Sequence, residues 1–192
     1  NHISAPKFCQ YEGVDIAEIA RKYQDLYPDI VDVFNNAELP RLFQGEADQR
    51  MSSYELTNLT EAADSLIYVA TETVYFGRRQ HLTEKTFKPI ALKMPFIIVG
   101  TCGSLKYLRS YGFKTFGDIW DESYDDETDD VRRIEKIAEL LKTLDSKTQQ
   151  EKQSLFNQAR DIVEHNYRHF YHGKFEAILW EELTTMMHQI DV

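Results

Sequence analysis

The chain has 192 residues, of which 42% are hydrophobic and 12% are aromatic, so it is long enough to bury a core and does not have the composition of a disordered polypeptide. Its formal net charge of −10 argues against non-specific binding to nucleic acid, and no apolar run approaches the length of a membrane span. The cysteines Cys9 and Cys102 do not form a disulfide framework, and they predict a reducing, cytoplasmic location.

Residues 1–62 are predicted to be a helical N-terminal segment that is separate from a domain over 63–192. Apolar residues recur at helical spacing over 14–35, where Pro28 divides the pattern, and 36–63 are polar and predicted to be a loop. The segment is too short for a Rossmann-like domain. We therefore expect it to be the remnant of a preceding domain, and we expect the chain, which begins with Asn1, to belong to a longer protein.

Strand and helix patterns alternate from residue 63 onward. Apolar runs rich in β-formers predict two buried strands and a very short third one, over 63–73, 95–100 and 113–116. Helical periodicity predicts helices over 82–94, 103–112, 127–144, about 147–170 and about 173–190. This order predicts an α/β fold with a small parallel Rossmann-like sheet, flanking helices and extra C-terminal helices. Such sheets bind ligands at the carboxyl ends of their strands.

Charge is segregated along the chain. Residues 117–130 hold eight acidic residues and no basic one; without them, 24 of the 32 acidic residues remain against 22 basic ones. We predict that this acidic segment is a solvated loop, anchored by Trp120 and Tyr124, that caps the following helix. The capping acids are Asp126, Glu127, Asp129 and Asp130. A divalent-metal loop is the alternative, but the segment lacks the glycine spacing of an EF-hand.

Basic residues cluster instead around the segment "HLTEKTFKPIALKMPFIIVG", residues 81–100. With Thr83 as N-cap, the apolar side chains of this helix share one face and leave Glu84 and Lys85 elsewhere. A helix N-terminus with a lysine suits phosphate, and a carboxylate can accept two hydrogen bonds from the diol of a ribose. The segment therefore predicts a site for a nucleotide, and the alternative is an ordinary solvent-exposed Glu–Lys pair.

Pro89 interrupts this predicted helix. In a helix that begins after Thr83, proline removes a backbone hydrogen bond and clashes with the carbonyl of Lys85, at a cost of about 3 kcal/mol. Either the helix is kinked at Pro89, or it begins near Thr86 and carries Pro89 in its first turn.

The ordered string "TET" (71–73) followed by "LTEKTFKPIALKMPFIIVG" resembles the C-terminal donor-binding half of GT-B glycosyltransferases, above all the fucosyltransferase-type families. Together with "GSLKYLRSYGFKTF" and "DESYD", it also resembles uncharacterised phage-encoded proteins related to such enzymes, over roughly 65–170. The resemblance implies that Glu84 holds the nucleotide ribose and Lys85 the diphosphate. Glu72 matches the strand-end glutamate of the pattern, and Thr83 and Thr86 assist through hydroxyl or backbone groups.

By this resemblance the protein is expected to transfer a sugar from a nucleoside-diphosphate sugar, which is a substrate, with no metal and no further cofactor. Arg78 or Arg79 would reach a phosphate, although no motif covers them. GT-B enzymes carry the acceptor and usually the catalytic base on an N-terminal domain, so the catalytic base stays unknown here. The expected partner is a missing N-terminal domain, or a second copy bound through the C-terminal helices. The alternative is a non-catalytic nucleotide-binding or protein-interaction domain, a degenerate relative of these enzymes.

Two other kinds of site are weaker alternatives. His165, His169 and His172 share one helical face and would form a zinc site, but no acidic partner follows in the metalloprotease pattern, and ordinary packing is favoured. A metal-dependent nuclease would use acids such as Glu72 and Glu84, but the adjacent Glu–Lys pair does not place both side chains on one side of a strand. The resembled phage proteins carry a similar "HN", which implies that Asn166 is a buried polar contact.

Overall fold

The computed structural model describes Ile3–Ser4, Glu38–Leu39 and residues 63–190. The chain divides into two compact units, Asn1–Met51 and Ser52–Val192. Each unit is described by itself.

In the first unit, strand β1 (Ile3–Ser4) pairs with strand β2 (Glu38–Leu39). The two strands are antiparallel, with Ile3 opposite Leu39. β2 lies where the sequence predicted a loop, because its backbone groups bond to a partner far away in the chain. The helices predicted over 14–35 lie outside the described residues.

The second unit is mixed α/β and mostly helical in its described part. Its elements in chain order are β3 (Tyr68–Thr71), α1 (Glu84–Ala91), β4 (Phe96–Val99), α2 (Ser104–Ser110), a 3-10 helix (Ser123–Asp126), α3 (Asp130–Asp145), α4 (Gln149–His172) and α5 (Phe175–Ile190). The predicted α/β class and the parallel pairing of the first two strands are confirmed. None of the described helices is long and apolar enough to cross a membrane.

The centre of this unit is the β3–α1–β4 crossover. β3 and β4 are parallel, with Tyr68 opposite Phe96 and Thr71 opposite Val99, and parallel strands require a crossover connection such as a helix. The sequence of β4, "FIIV", is buried on both faces: Phe96, Ile97 and Ile98 are at most 2% exposed. This crossover brings the end of β3 and the start of α1 to the same edge of the sheet.

The predicted third strand over 113–116 is wrong. This segment has no regular secondary structure and lies outside the sheet, and a side chain binds its backbone. The amide of Asn166 on α4 accepts a hydrogen bond from Lys114 N (2.8 Å) and donates one to Lys114 O (2.9 Å). Asn166 is 1% exposed, which agrees with the buried polar contact expected at this position. One side chain thus replaces a neighbouring strand.

An aromatic cluster joins α4 and α5 to the crossover. Phe87 of α1 stacks on Phe170 of α4 with 5.5 Å between ring centroids, and Phe175 of α5 lies 5.3 Å from Phe87 and 5.0 Å from Phe113. Beyond Phe175, five large apolar side chains of α5 are 42–60% exposed: Leu179, Trp180, Leu183, Met186 and Met187. The start of α5 therefore contributes Phe175 to the core, while α4 contributes along its length, through Leu155, Ala159 and Phe170.

The buried face of α3 contains a charged residue. Of the apolar side chains that recur at helical spacing on α3, Ile137 and Leu144 are buried and Ile134 is 41% exposed, whereas Arg133 is 1% exposed. Periodicity of apolar residues could not predict this, because the residue that faces inward is charged and gains its partners from distant loops.

We expect Asn166→Ala to destabilise the protein, since it leaves the N–H and C=O of Lys114 without their partner. The expected loss is about 2–4 kcal/mol in the free energy of unfolding, measured by urea denaturation. Asn157→Ala is the control, because Asn157 is exposed on the same helix, and it should change stability by less than about 0.5 kcal/mol. Equal effects of the two variants would contradict the strand-replacing role of Asn166.

Candidate functional site

The carboxyl ends of β3 and β4 meet at one edge of the sheet, where ligands bind in open α/β folds. Residues 72–83 follow β3 and lead into α1, and residues 100–103 follow β4 and lead into α2. The backbone carries the pairing one step past the strands, since Glu72 N donates to Val99 O at 2.9 Å. All the site residues predicted from the sequence lie in or directly after the first of these connections.

Glu72, directly after β3, holds the start of α1 by hydrogen bonds. It is 5% exposed, and its carboxylate accepts hydrogen bonds from Thr83 N (3.0 Å) and Thr83 Oγ1 (2.7 Å) and a third from Thr86 Oγ1. Thr86 is itself fully buried. Both oxygens of Glu72 are thus engaged within the chain. Glu72, Thr83 and Thr86 build the site, and a direct contact between them and a ligand stays a prediction.

The start of α1 is fixed at Glu84, so the interpretation that the helix begins near Thr86 is wrong. Thr83 is the N-cap, and its Oγ1 accepts a hydrogen bond from Lys85 N at 3.3 Å. Pro89 lies inside the helix, where its missing N–H deprives the Lys85 carbonyl of its usual helical donor. The amides of Thr83, Lys85 and Thr86 all donate within the chain. A ligand at this end would therefore meet side chains and the helix dipole more than free amides.

Glu84 and Lys85 lie side by side at the rim of the sheet. Lys85 Nζ donates to Glu84 Oε1 at 3.0 Å and to Thr73 Oγ1 at 3.1 Å, and the two side chains remain 30% and 40% exposed, respectively. The hydrogen bond from Lys85 lowers the pKa of the Glu84 carboxyl, so this carboxyl is ionised at neutral pH. The arrangement offers one cation and one carboxylate to solvent, a few ångströms apart.

The edge loop, residues 73–82, carries Arg78 and Arg79. Both side chains are exposed, while the backbone beneath them is fastened: Thr101 Oγ1 donates to Arg79 O at 3.3 Å, and Gln80 Nε2 donates to Cys102 O at 2.6 Å. The structure therefore places the two arginines in the same loop as Thr73, the partner of Lys85.

Arg133 is a buried positioning residue that the sequence analysis missed. Its guanidinium donates to Gly100 O (3.0 Å), Tyr75 O (2.8 Å) and Glu127 O (2.9 Å), and it pairs with Asp130 at 2.6 Å. It also lies over the ring of Tyr75, 4.5 Å from the centroid. Arg133 thereby ties both connections of the carboxyl edge to α3. The spacing of Asp130 and Arg133 on one helix was the only sequence signal, and it is too common to identify the role.

Comparison of the chain with protein-family models, with curated proteins and with solved structures found no match. The likeness of "LTEKTFKPI" to glycosyltransferase motifs therefore remains an expectation from the sequence. What the protein does has to be inferred from the chemistry of the edge itself.

The acidic segment is not simply a solvated loop. Asp129 does cap α3, accepting from Val131 N and Arg132 N, and Trp120 and Tyr124 are buried anchors as expected. Asp125, however, is 3% exposed and accepts from the first amides of α2, Leu105 N at 2.8 Å and Lys106 N at 3.0 Å. Burial raises the pKa of the Asp125 carboxyl, and the two amides oppose that rise. The segment thus covers the start of α2 with its own carboxylate.

Two of the histidines of α4, His165 and His169, bind backbone carbonyls. His165 Nε2 lies 3.0 Å from Gly112 O, and His169 Nε2 lies 2.6 Å from Tyr111 O, so both rings hold the turn after α2. Within the part of the chain that the structure describes, no group of three or more His, Cys, Asp or Glu side chains is arranged to bind a metal. The packing interpretation of these histidines is the one that their contacts support.

Glu72→Gln tests the anchor under α1. The carboxylate of Glu72 accepts three hydrogen bonds through two oxygens, whereas a glutamine has a single acceptor oxygen, so at least one donor would lose its partner. We therefore expect a loss of about 1–3 kcal/mol in the free energy of unfolding, measured by urea denaturation. Glu84→Gln makes the same change in an exposed residue and should cost less than about 0.5 kcal/mol. Loss of stability in Glu84→Gln alone would show that the buried carboxylate does not hold the edge together.

Proposed function

We propose that residues 63–190 form the donor-binding half of a GT-B-type glycosyltransferase, which holds a nucleoside-diphosphate sugar at the start of α1. The observation that carries this proposal is the partly exposed Glu84–Lys85 pair at the carboxyl edge of a parallel sheet. Beneath the pair, Glu72 and Thr86 are buried and bonded to each other, and Glu72 also accepts a hydrogen bond from Thr83. The pair is thus preorganised, which lowers the cost of binding.

In the proposed complex, Lys85 binds the diphosphate and Glu84 the ribose. The carboxylate of Glu84 accepts hydrogen bonds from the two ribose hydroxyls, and the phosphate replaces this carboxylate as the partner of Lys85 Nζ. Thr73 Oγ1 keeps the lysine at the edge. The positive end of α1 and the exposed Arg78 and Arg79 favour the same anion.

We propose a Rossmann-like fold on the basis of the β3–α1–β4 unit. A parallel strand pair joined by a helix is the repeating unit of such folds, and their ligands bind where a strand leads into the following helix. Glu84 and Lys85 lie at such a junction. The setting we propose is the cytoplasm, which the free thiol of Cys102 supports.

The second candidate is a nucleotide-binding or protein-interaction domain without catalysis. Two observations favour it. Five large apolar side chains of α5 are exposed, and both carboxylate oxygens of Glu72 are occupied by hydrogen bonds from Thr83 and Thr86. A nucleotide-binding domain without catalysis would share the nucleotide site with the first candidate, and a protein-interaction domain would not. Neither would transfer a sugar, which in a GT-B enzyme requires an acceptor domain.

Nucleotide binding is tested by isothermal titration with GDP, UDP and ADP. We expect one of them to bind, and Glu84→Ala and Lys85→Ala each to weaken its binding by tenfold or more, since each removes a charged hydrogen-bonding partner. Lys88→Ala is the matched control, because it removes the same charge from the same helix and should change affinity by less than about threefold. Absence of binding by all three nucleotides at millimolar concentration would contradict the proposal, as would an equal effect of Lys88→Ala.

We also propose that α5 pairs with α5 of a second copy. Its exposed apolar residues, Leu179, Trp180, Leu183, Met186 and Met187, are spaced symmetrically about Leu183. An antiparallel twofold contact at Leu183 would place Leu179 and Trp180 against Met186 and Met187. Such self-complementarity is what an isologous dimer interface requires. The competing partner for this surface is a preceding domain.

Leu183→Asp should convert the proposed dimer into a monomer, because it buries a charge at the twofold axis. Light scattering coupled to size exclusion measures the change. Thr185→Asp adds the same charge on the opposite side of the helix, where Thr185 is exposed, and should leave the dimer intact. A wild-type monomer at high micromolar concentration would exclude pairing through α5 and favour a preceding domain as the partner.

A further inference from the structure

The edge loop presents an exposed phenylalanine on a fixed backbone. Phe76 is 72% exposed, although the residue before it is bound on two sides. Tyr75 Oη donates to Asp130 O at 2.6 Å, and Tyr75 O accepts from the buried Arg133 at 2.8 Å. Gly77 follows with φ 84° and open space around its α-carbon, so the chain turns away directly after the ring. The hydrogen bonds of Tyr75 and the turn at Gly77 thus leave the ring of Phe76 in solvent.

We propose that Phe76 is the stacking platform for the nucleobase of a nucleoside diphosphate. This inference rests on the proposed function, because it places the base of the same nucleotide whose phosphates Lys85 would hold. A bare aromatic ring on a fastened loop gives a base a flat apolar partner at little entropic cost.

The position of Phe76 fits this role. Lys85 Nζ donates a hydrogen bond to Thr73 Oγ1, and Phe76 follows Thr73 by three residues. Because three residues span at most about 11 Å even when fully extended, Phe76 lies within the length of one nucleotide from Lys85. The ring of Phe76 meets that of Tyr75 edge to face, with centroids 5.4 Å apart and planes at 89°. At its observed exposure, most of the Phe76 ring faces solvent.

The charges around Phe76 favour a single nucleotide. Arg78 and Arg79 are exposed beside it, and guanidinium groups bind phosphate oxygens and stack on bases. A nucleic-acid strand would instead meet the field of a chain with net charge −10, which opposes the approach of a long polyanion. The ligand class is therefore an aromatic base that carries its own phosphates.

Phe76→Ala tests the platform, with Phe156→Ala as the control. Phe156 is another phenylalanine with an exposed side chain, at 41%, and it lies on α4. We expect Phe76→Ala to weaken the binding of whichever of GDP, UDP and ADP binds the wild type by about tenfold, because stacking on phenylalanine hardly distinguishes the bases. Binding of inorganic pyrophosphate, which has no base, should be unchanged. Phe76→Tyr should restore nucleotide binding, and Phe156→Ala should not alter it.

The outcomes separate the platform from the proposed function. If nucleotides bind the wild type through Lys85 but equally well to Phe76→Ala, the platform is overturned and the phosphate site stands. If no nucleotide binds the wild type, both are overturned. If a short single-stranded oligonucleotide binds more tightly than any nucleotide and loses this advantage in Phe76→Ala, the ring serves nucleic acid and the proposed occupant is wrong. An unchanged melting temperature of Phe76→Ala verifies that the variant is folded.

Discussion

The buried carboxylate of Glu72 is the constraint on which the carboxyl edge depends. Three donors from Thr83 and Thr86 meet it, and each is a group whose burial without a partner would cost free energy. This arrangement fixes where α1 begins, and it does so despite Pro89, which by itself would favour a later start. Because α1 begins at Glu84, the Glu84–Lys85 pair lies at the carboxyl edge of the sheet, partly open to solvent. The proposed binding chemistry follows from that position.

Arg133 supplies the second constraint. Its guanidinium reaches the carbonyl of Gly100 after β4 and the carbonyl of Tyr75 after β3, so one side chain holds both connections of the edge. A buried arginine is stabilising only when its donors are satisfied, and here backbone carbonyls and Asp130 satisfy them. These bonds hold the edge loop at Tyr75, next to the exposed Phe76.

Local sequence was sufficient to predict the crossover unit and its helices, because their signals are short-range: the apolar run of β4, the N-cap at Thr83, the apolar periodicity of α4. It also identified Glu84 and Lys85 as neighbours at the edge. It failed where a side chain bonds to the backbone of a distant segment. Asn166 binds the backbone of Lys114, which lies 52 positions away in the chain. No sequence pattern around Asn166 or around Lys114 predicts that hydrogen bond. Asp125 is a similar case, since an acid in an acidic run is expected in solvent.

The proposed nucleotide site lies where α1 begins, beside the loop that follows β3. Amide chemical shifts of the isotope-labelled protein, recorded while GDP, UDP or ADP is added, test this site most directly because they locate the ligand. We expect the largest shifts on Thr73, Phe76, Glu84 and Lys85 and their neighbours, and no change at the turn of Gly112, which His165 and His169 hold. Shifts centred on that turn, or no shifts with any of the three nucleotides at millimolar concentration, would contradict it.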